Sequence, residues 1–148
     1  MKDRFHGVFS LLLILVAIIM ALVYLWGQSV VMGLTYLAIT LMAPPTVLYA
    51  YCAKCICRSD SCSHVFPGKL TRLLPARREG PYMLSDYFWT AVPLILLFAF
   101  PQYWLWQNKT LLIVFWLFLL AALMEVLLFV CRGCGNESCP ICPCRGES

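Results

Sequence analysis

Four long apolar segments constrain this 148-residue chain more than any other feature. Each is about 20 residues long, which is the length that an α-helix needs to cross the hydrocarbon of a bilayer. Charged residues make up only 12% of the chain, about half of their share in soluble domains. The segments are residues 8–26, 30–50, 88–106 and 111–130. The sequence therefore predicts an all-α integral membrane protein with four transmembrane helices.

The first segment follows Lys2 and Arg4, as the apolar part of a secretory signal does. Its uninterrupted length argues against removal, and Trp26 and Gln28 stand where small residues would mark a cleavage site. We therefore expect this segment to be retained as the first helix.

Basic residues predict the orientation of the helices. If the N-terminus is cytoplasmic, four crossings put ten of the eleven lysines and arginines on the cytoplasmic side, as the positive-inside rule requires. Lys109 is the exception. The ten are Lys2, Arg4, Lys54, Arg58, Lys69, Arg72, Arg77, Arg78, Arg132 and Arg145. The sequence thus predicts a multi-pass protein of the cell (inner) membrane with both termini in the cytoplasm.

Two short outer turns, residues 27–29 and 107–110, predict that the four helices form two antiparallel hairpins. The chain then divides into three parts. Residues 1–62 form the first hairpin with a first cysteine cluster, residues 63–87 a basic cytoplasmic loop, and residues 88–148 the second hairpin with a C-terminal cysteine cluster. The cysteine-rich loop and tail both lie on the predicted cytoplasmic side.

Prolines interrupt the second and third segments, at Pro44, Pro45, Pro93 and Pro101. A proline has no backbone N–H, so it leaves one helix carbonyl without its donor. In hydrocarbon, a neighbouring helix must then satisfy that carbonyl. We therefore expect the proline sites to face protein, within the bundle or across a subunit interface.

Nine cysteines form two groups, each of which begins where an apolar segment ends. The first group is Cys52, Cys55, Cys57 and Cys62, and the second is Cys131, Cys134, Cys139, Cys142 and Cys144. The cytoplasm keeps thiols reduced, which favours metal ligation over structural disulfides. Four thiolates suit either zinc or an iron–sulfur cluster, and the sequence leaves the metal undecided.

The C-terminal group contains two Cys-x2-Cys pairs, Cys131 with Cys134 and Cys139 with Cys142. Taken as Cys131-x2-Cys134-x4-Cys139-x4-Cys144, it resembles the retroviral-type zinc knuckle, with cysteine in place of the histidine of that motif. The resemblance covers fourteen residues and implies a zinc site. The usual aromatic residue of the knuckle is absent, and we predict no nucleic-acid partner for a membrane tail.

Other uses of these residues stay open. The first group with His64 offers four thiols and one imidazole, and either closes its own site or shares one with Cys131 and Cys134. Juxtamembrane cysteines are also targets of S-palmitoylation. Disulfides require the inverted topology.

Glu125 is the one formal charge inside the four apolar segments. An intramembrane acid indicates a function by default, here an additional metal ligand, proton transfer or contact with quinone. Pairing with a basic loop residue is the structural alternative. We expect His6 to lie at the interface and not to bind metal.

The aqueous part of the chain is small, and we predict no catalytic residue and no organic cofactor site. The expected function is an accessory or electron-transferring subunit of a larger, redox membrane complex. It would hold one or two metal centres (iron–sulfur or zinc) at the cytoplasmic face, with other membrane subunits and quinone as partners. The alternatives are a structural or assembly protein with zinc sites and no redox role, and a small transporter or sensor of metal ions.

Overall fold

The computed structural model describes residues 2–54, 70–71, 74–75, 77 and 82–131. Five α-helices account for most of this part of the chain. They are α1 (Lys2–Gln28), α2 (Val30–Ala50), α3 (Leu84–Ala99), α4 (Gln102–Leu105) and α5 (Lys109–Glu125). A 3-10 turn at Cys52–Lys54 follows α2, and a π-helical turn at Val126–Val130 follows α5.

Four stretches are long and apolar enough to cross a membrane: Phe5–Gln28, Val30–Lys54, Leu84–Leu105 and Lys109–Val130. The prediction of an all-helical membrane protein with four candidate spans is therefore confirmed. Helix α2 begins at Val30 and ends at Ala50, as the sequence predicted. The first helix begins six residues earlier than the predicted segment, at Lys2, since its polar first residues are helical too.

Helix α1 packs against both α2 and α5, and α2 also packs against α3. The core between them combines small and large side chains. Ala17 and Ala21 of α1 lie in one buried cluster with Tyr36 of α2 and Phe115 of α5. Small residues let membrane helices approach closely. The second pair of helices thus flanks the first pair, and the grouping into two self-contained hairpins stays a prediction.

The two ends of the bundle differ, because one end holds polar contacts between helices and the other holds tryptophans. His6, at the start of α1, contacts Glu125, at the end of α5, whereas Lys54, after α2, contacts Asp86 in the first turn of α3. We call this end, which also holds Arg77, the basic end. The opposite end, which holds Trp26, Trp104 and Trp106, is called the tryptophan end.

Helix α2 continues through Pro44 and Pro45, and α3 continues through Pro93, but the third span breaks at Pro101. In an unbroken helix the carbonyl of Leu97 would accept the N–H of residue 101, which proline lacks. The hydroxyl of Tyr36, a fully buried side chain, donates to that carbonyl at 3.2 Å. The expectation that a neighbouring helix satisfies a proline-freed carbonyl is confirmed here.

Gln102 donates to the carbonyl of Phe98, the residue that follows Leu97. Its Nε2 donates to the carbonyl of Phe98 at 2.6 Å, and its Oε1 accepts from Nε1 of Trp116 at 3.0 Å. One amide therefore donates to a part-buried carbonyl and links α4 to α5. The break at Pro101 is thus held by Tyr36 of α2 and by Gln102 of the same span, which Trp116 of α5 contacts.

Tyr36→Phe is expected to lower the free energy of unfolding by about 1 kcal/mol, because the Leu97 carbonyl loses its donor within hydrocarbon. In a Pro101→Ala background the loss is expected to be smaller, since an alanine N–H can donate to Leu97. Unfolding in mixed micelles by titration with a denaturing detergent measures both losses. Tyr103→Phe, at an exposed tyrosine of α4, is the control. Equal losses in the two backgrounds would contradict the assignment of the Tyr36 hydroxyl as the donor that replaces the N–H missing at Pro101.

Candidate functional site at the basic end

A buried carboxylate joins α2 to α3. The side chain of Asp86 is 2% exposed and contacts three donors. Nζ of Lys54 lies 2.7 Å from Oδ2, Nη1 of Arg77 lies 2.9 Å from Oδ1, and the backbone N–H of Met83 donates to Oδ2 at 3.0 Å. The two cations leave this three-residue cluster with a net charge of one positive unit.

The local sequence explains why these side chains meet. Asp86 lies in the first turn of α3, where the helix dipole favours a negative charge. Lys54 follows the C-terminal end of α2, where the dipole favours a positive charge. Arg77 also donates from Nη1 to the carbonyl of Ala50 at 3.2 Å, so it caps the last turn of α2. We refer to Lys54, Arg77 and Asp86 as the Asp86 cluster.

Aromatic rings surround the Asp86 cluster. The guanidinium of Arg77 lies over Tyr49 at 5.4 Å, and the ammonium of Lys54 lies 5.9 Å from the ring centre of Tyr82. Tyr82 in turn stacks on Tyr51 at 4.4 Å. Cation–π contacts of this kind gain strength where water is excluded, and the Lys54 side chain is 9% exposed. The cations are thus held in place by rings as well as by the carboxylate.

The sequence did not indicate this cluster. Lys54 and Arg77 counted only toward the positive-inside rule, and Asp86 fell within the predicted cytoplasmic loop of residues 63–87. The one available signal was an acid close before the third apolar segment, where a helix begins. The third span begins at Leu84, four residues before the predicted segment, and therefore includes Asp86.

A second polar contact joins α1 to α5. Nδ1 of His6 lies 2.7 Å from Oε2 of Glu125, and the two side chains are 24% and 21% exposed. The imidazole also stacks on Phe129 with the ring centres 4.2 Å apart. Glu125 thus pairs with His6 of the first helix. The sequence suggested a basic residue of the loop as the partner of Glu125, whereas this contact comes from α1.

The π-helical turn begins directly after Glu125. The N–H of Cys131 donates to the carbonyl of Val126, five residues back. A π turn holds one residue more than an α turn, and such turns occur often at functional sites. Relative to Glu125, Cys131 is therefore rotated about the helix axis, away from the position that a continued α-helix would give it.

Two of the nine predicted thiol ligands lie in the described part of the chain. Cys52 is half-buried directly after α2, and Cys131 is buried directly after the π turn, so both lie at the basic end. The other predicted ligands lie outside the described residues: Cys55, Cys57, Cys62, His64, Cys134, Cys139, Cys142 and Cys144. Among the described residues, no three histidine, cysteine or acidic side chains lie together as metal ligands would. The metal centre, the ligand role of Glu125 and the three-part division of the chain stay predictions.

Comparison with protein-family models, with curated proteins and with solved structures finds no match to this chain.

Asp86→Asn is expected to reduce the free energy of unfolding by about 3–5 kcal/mol, because it removes the counter-charge of the nearly buried Lys54 and of the half-buried Arg77. Glu125→Gln changes the partly exposed pair with His6, and a loss of about 1 kcal/mol or less is expected. Thermal unfolding of the purified protein in one detergent compares the two matched substitutions.

Adding Lys54→Met to Asp86→Asn removes one of the stranded cations and is expected to restore part of the stability. Coupling of this kind is typical of residues in one network. If the double variant is no more stable than Asp86→Asn alone, the charge of Asp86 is not what holds the cluster together.

Proposed function

We propose that this chain is an accessory subunit of a larger, redox membrane complex and that it holds one or two cysteine-ligated metal centres at the basic end. One observation carries the proposal: Cys52 and Cys131 both directly follow helices that end at the basic end. The loop that holds the other cysteines of the first group therefore leaves the bundle at the same end as the cysteine-rich tail. Nine thiols in two sequence groups are more than lipid attachment or a single structural contact needs.

We further propose that the basic end faces the cytoplasm and that the helices form two hairpins with a cysteine-rich cytoplasmic loop and tail. Lys54 and Arg77 share this end, as the positive-inside rule requires. The tryptophans at the other end suit the second interface, where amphipathic rings prefer to lie. In the cytoplasm the thiols stay reduced and able to bind metal.

The outward faces of the helices support a role beside other membrane proteins. Phe88, Trp89 and Tyr103 are among the large side chains that the bundle leaves exposed. Lipid covers such rings in a single chain, and partner helices cover them in a complex.

Electrons leaving a centre at the basic end pass laterally, to a partner subunit or to quinone, because in this proposal both cysteine groups lie on one side of the membrane.

Glu125 supports contact with quinone in this proposal. Reduction of quinone consumes protons, and Glu125 lies six residues before Cys131 with His6 as its hydrogen-bonding partner. A carboxyl and an imidazole that share a contact are suited to relaying protons. Their position at the basic end puts them beside the proposed centres.

The metal content of anaerobically purified protein tests the proposal. We expect iron with labile sulfide and a brown colour that reductant bleaches. The double substitution Cys131→Ser with Cys134→Ser is expected to lose at least one centre. Ser138→Ala, in the same tail, is the matched control and is expected to keep the full metal content.

A colourless protein that contains zinc and loses it in the double variant would overturn the redox role. That result would support the alternative, a structural or assembly protein with zinc sites. Protein purified without any bound metal would contradict both functions.

Thiol labelling tests the orientation. A membrane-impermeant maleimide is expected to leave the native cysteines unlabelled in intact cells stripped of their outer envelope, and to label them once the membrane is opened. Lys109→Cys introduces a thiol at the tryptophan end and is expected to react from outside. Labelling of the native cysteines in intact cells would contradict the cytoplasmic assignment.

A further inference from the structure

Two adjacent prolines lie in the middle of α2, on the outside of the bundle. Pro44 and Pro45 are both exposed, and α2 stays α-helical across them. Each lacks the backbone N–H that an α-helix uses to bond the carbonyl four residues earlier. The carbonyls that lose this donor are those of Thr40 and Leu41. Because the second span runs from Val30 to Lys54, both carbonyls lie near its centre, at the depth farthest from water.

The proline pair affects the carbonyl of Leu41 more than that of Thr40. A carbonyl that loses its α-helical donor can accept a 3-10 bond from the N–H three residues further on. For Thr40 that residue is Ala43, which has an N–H, whereas for Leu41 it is Pro44, which has none. The carbonyl of Leu41 thus lacks both the α-helical and the 3-10 donor.

The hydroxyls that flank this carbonyl on α2 are used elsewhere. Thr40 donates to the carbonyl of Tyr36 at 2.8 Å, and Thr46 donates to the carbonyl of Met42 at 2.8 Å. In the part of the chain that the structure describes, no side chain and no N–H of another helix donates to the carbonyl of Leu41. The bundle itself therefore does not supply the missing donor.

The break at Pro101 provides the contrast within the same bundle. Pro101 is buried, and the carbonyl of Leu97 accepts from Tyr36 of a neighbouring helix. A helix carbonyl points along the axis toward the residue four positions on, so that of Leu41 lies between two exposed positions, Leu41 itself (62% exposed) and Pro45. An acyl chain beside this face has no donor to offer, and hydrocarbon holds no water that could replace it.

We propose that this face of α2 binds a transmembrane helix of another protein chain, whose hydroxyl or carboxamide side chain donates a hydrogen bond to the carbonyl of Leu41. Leu34, Ala38, Leu41 and Pro45 are exposed along the face, and their spacing of four, three and four residues is that of helices packed side by side. Ala38 lets the partner backbone approach closely. This proposal rests on the proposed function only in requiring a membrane partner, and no metal takes part in it.

The rest of the bundle surface favours another chain over a second copy of this one. The donor must lie at the depth of Leu41, and a second copy in the same orientation presents hydrocarbon there. Trp116 is exposed not far from that depth, but its indole N–H already donates to Gln102. The large exposed side chains at the middle of the other three spans are Val16, Ile19, Ile95, Leu96, Leu117 and Leu120.

A designed partner helix tests the site in the full chain. The probe is a leucine helix that spans the bilayer and carries one asparagine at its centre, and the reference probe has leucine at that position. Energy transfer from the five tryptophans of the chain to a dansyl group on each probe measures association in phosphatidylcholine vesicles. We expect the asparagine probe to bind about fivefold more tightly, as one hydrogen bond between membrane helices would provide.

Pro45→Ala is expected to abolish this preference, because an alanine N–H at position 45 donates to the carbonyl of Leu41. Pro93→Ala, the same change within α3, is the matched control and is expected to keep the preference. Self-association of the probe is the same with every variant, so the variants compare directly. The comparison of the two probes with the unmodified chain tests the site even if one variant folds poorly.

Three results would overturn the proposal. Equal binding of the two probes by the unmodified chain would show that the face does not select a donor and is covered by lipid. A preference that survives Pro45→Ala would put the acceptor elsewhere. Self-association of the unmodified chain in detergent, measured by sedimentation and lost in Pro45→Ala, would assign the face to a second copy. Metal content enters none of these measurements, so failure here is distinct from failure of the proposed function.

Discussion

Hydrocarbon offers no hydrogen bonds to a polypeptide backbone, and this constraint governs the whole bundle. A polar backbone group that finds no partner in lipid destabilises the fold, so spanning segments satisfy their own groups as helices. The chain departs from this at Pro101, where the carbonyls of Leu97 and Phe98 accept from Tyr36 and Gln102 instead. These polar contacts near the tryptophan end thus serve the backbone, and we assign them no chemistry.

The same constraint confines charged side chains to the ends of the helices, where their contacts hold one helix against another. Asp86 is buried at the start of a span because Lys54 and Arg77 compensate its charge. That cluster fixes α2 against α3, and the contact of His6 with Glu125 fixes α1 against α5. Both contacts lie at the basic end. The packing of α1 on α2 then joins the two fixed pairs into one bundle.

The sequence predicted the helices well because apolar length alone decides which segments span a membrane. It did not predict which proline would break a helix, since α2 passes through Pro44 and Pro45 unbroken. The break at Pro101 depends on Tyr36, which lies 61 residues from Leu97, and no local pattern reports such a pairing. The Asp86 cluster was missed for the same reason, because its members come from separate parts of the chain. Glu125 stood out as a charge within an apolar run, but its partner His6 lies 119 residues away.

The two fixed helix ends also bear on the proposed metal centres. Cys52 lies between Ala50, whose carbonyl accepts from Arg77, and Lys54, which contacts Asp86. Cys131 donates its N–H to the π turn that begins after Glu125. The first thiol of each group is therefore attached to backbone that a polar contact already holds in place. Preorganised ligands lose less conformational entropy when a metal binds. Under the proposed function, each of these polar contacts therefore raises the affinity for metal of the cysteine group that follows it. Under the proposed function, these polar contacts order the helix ends from which the cysteines bind metal.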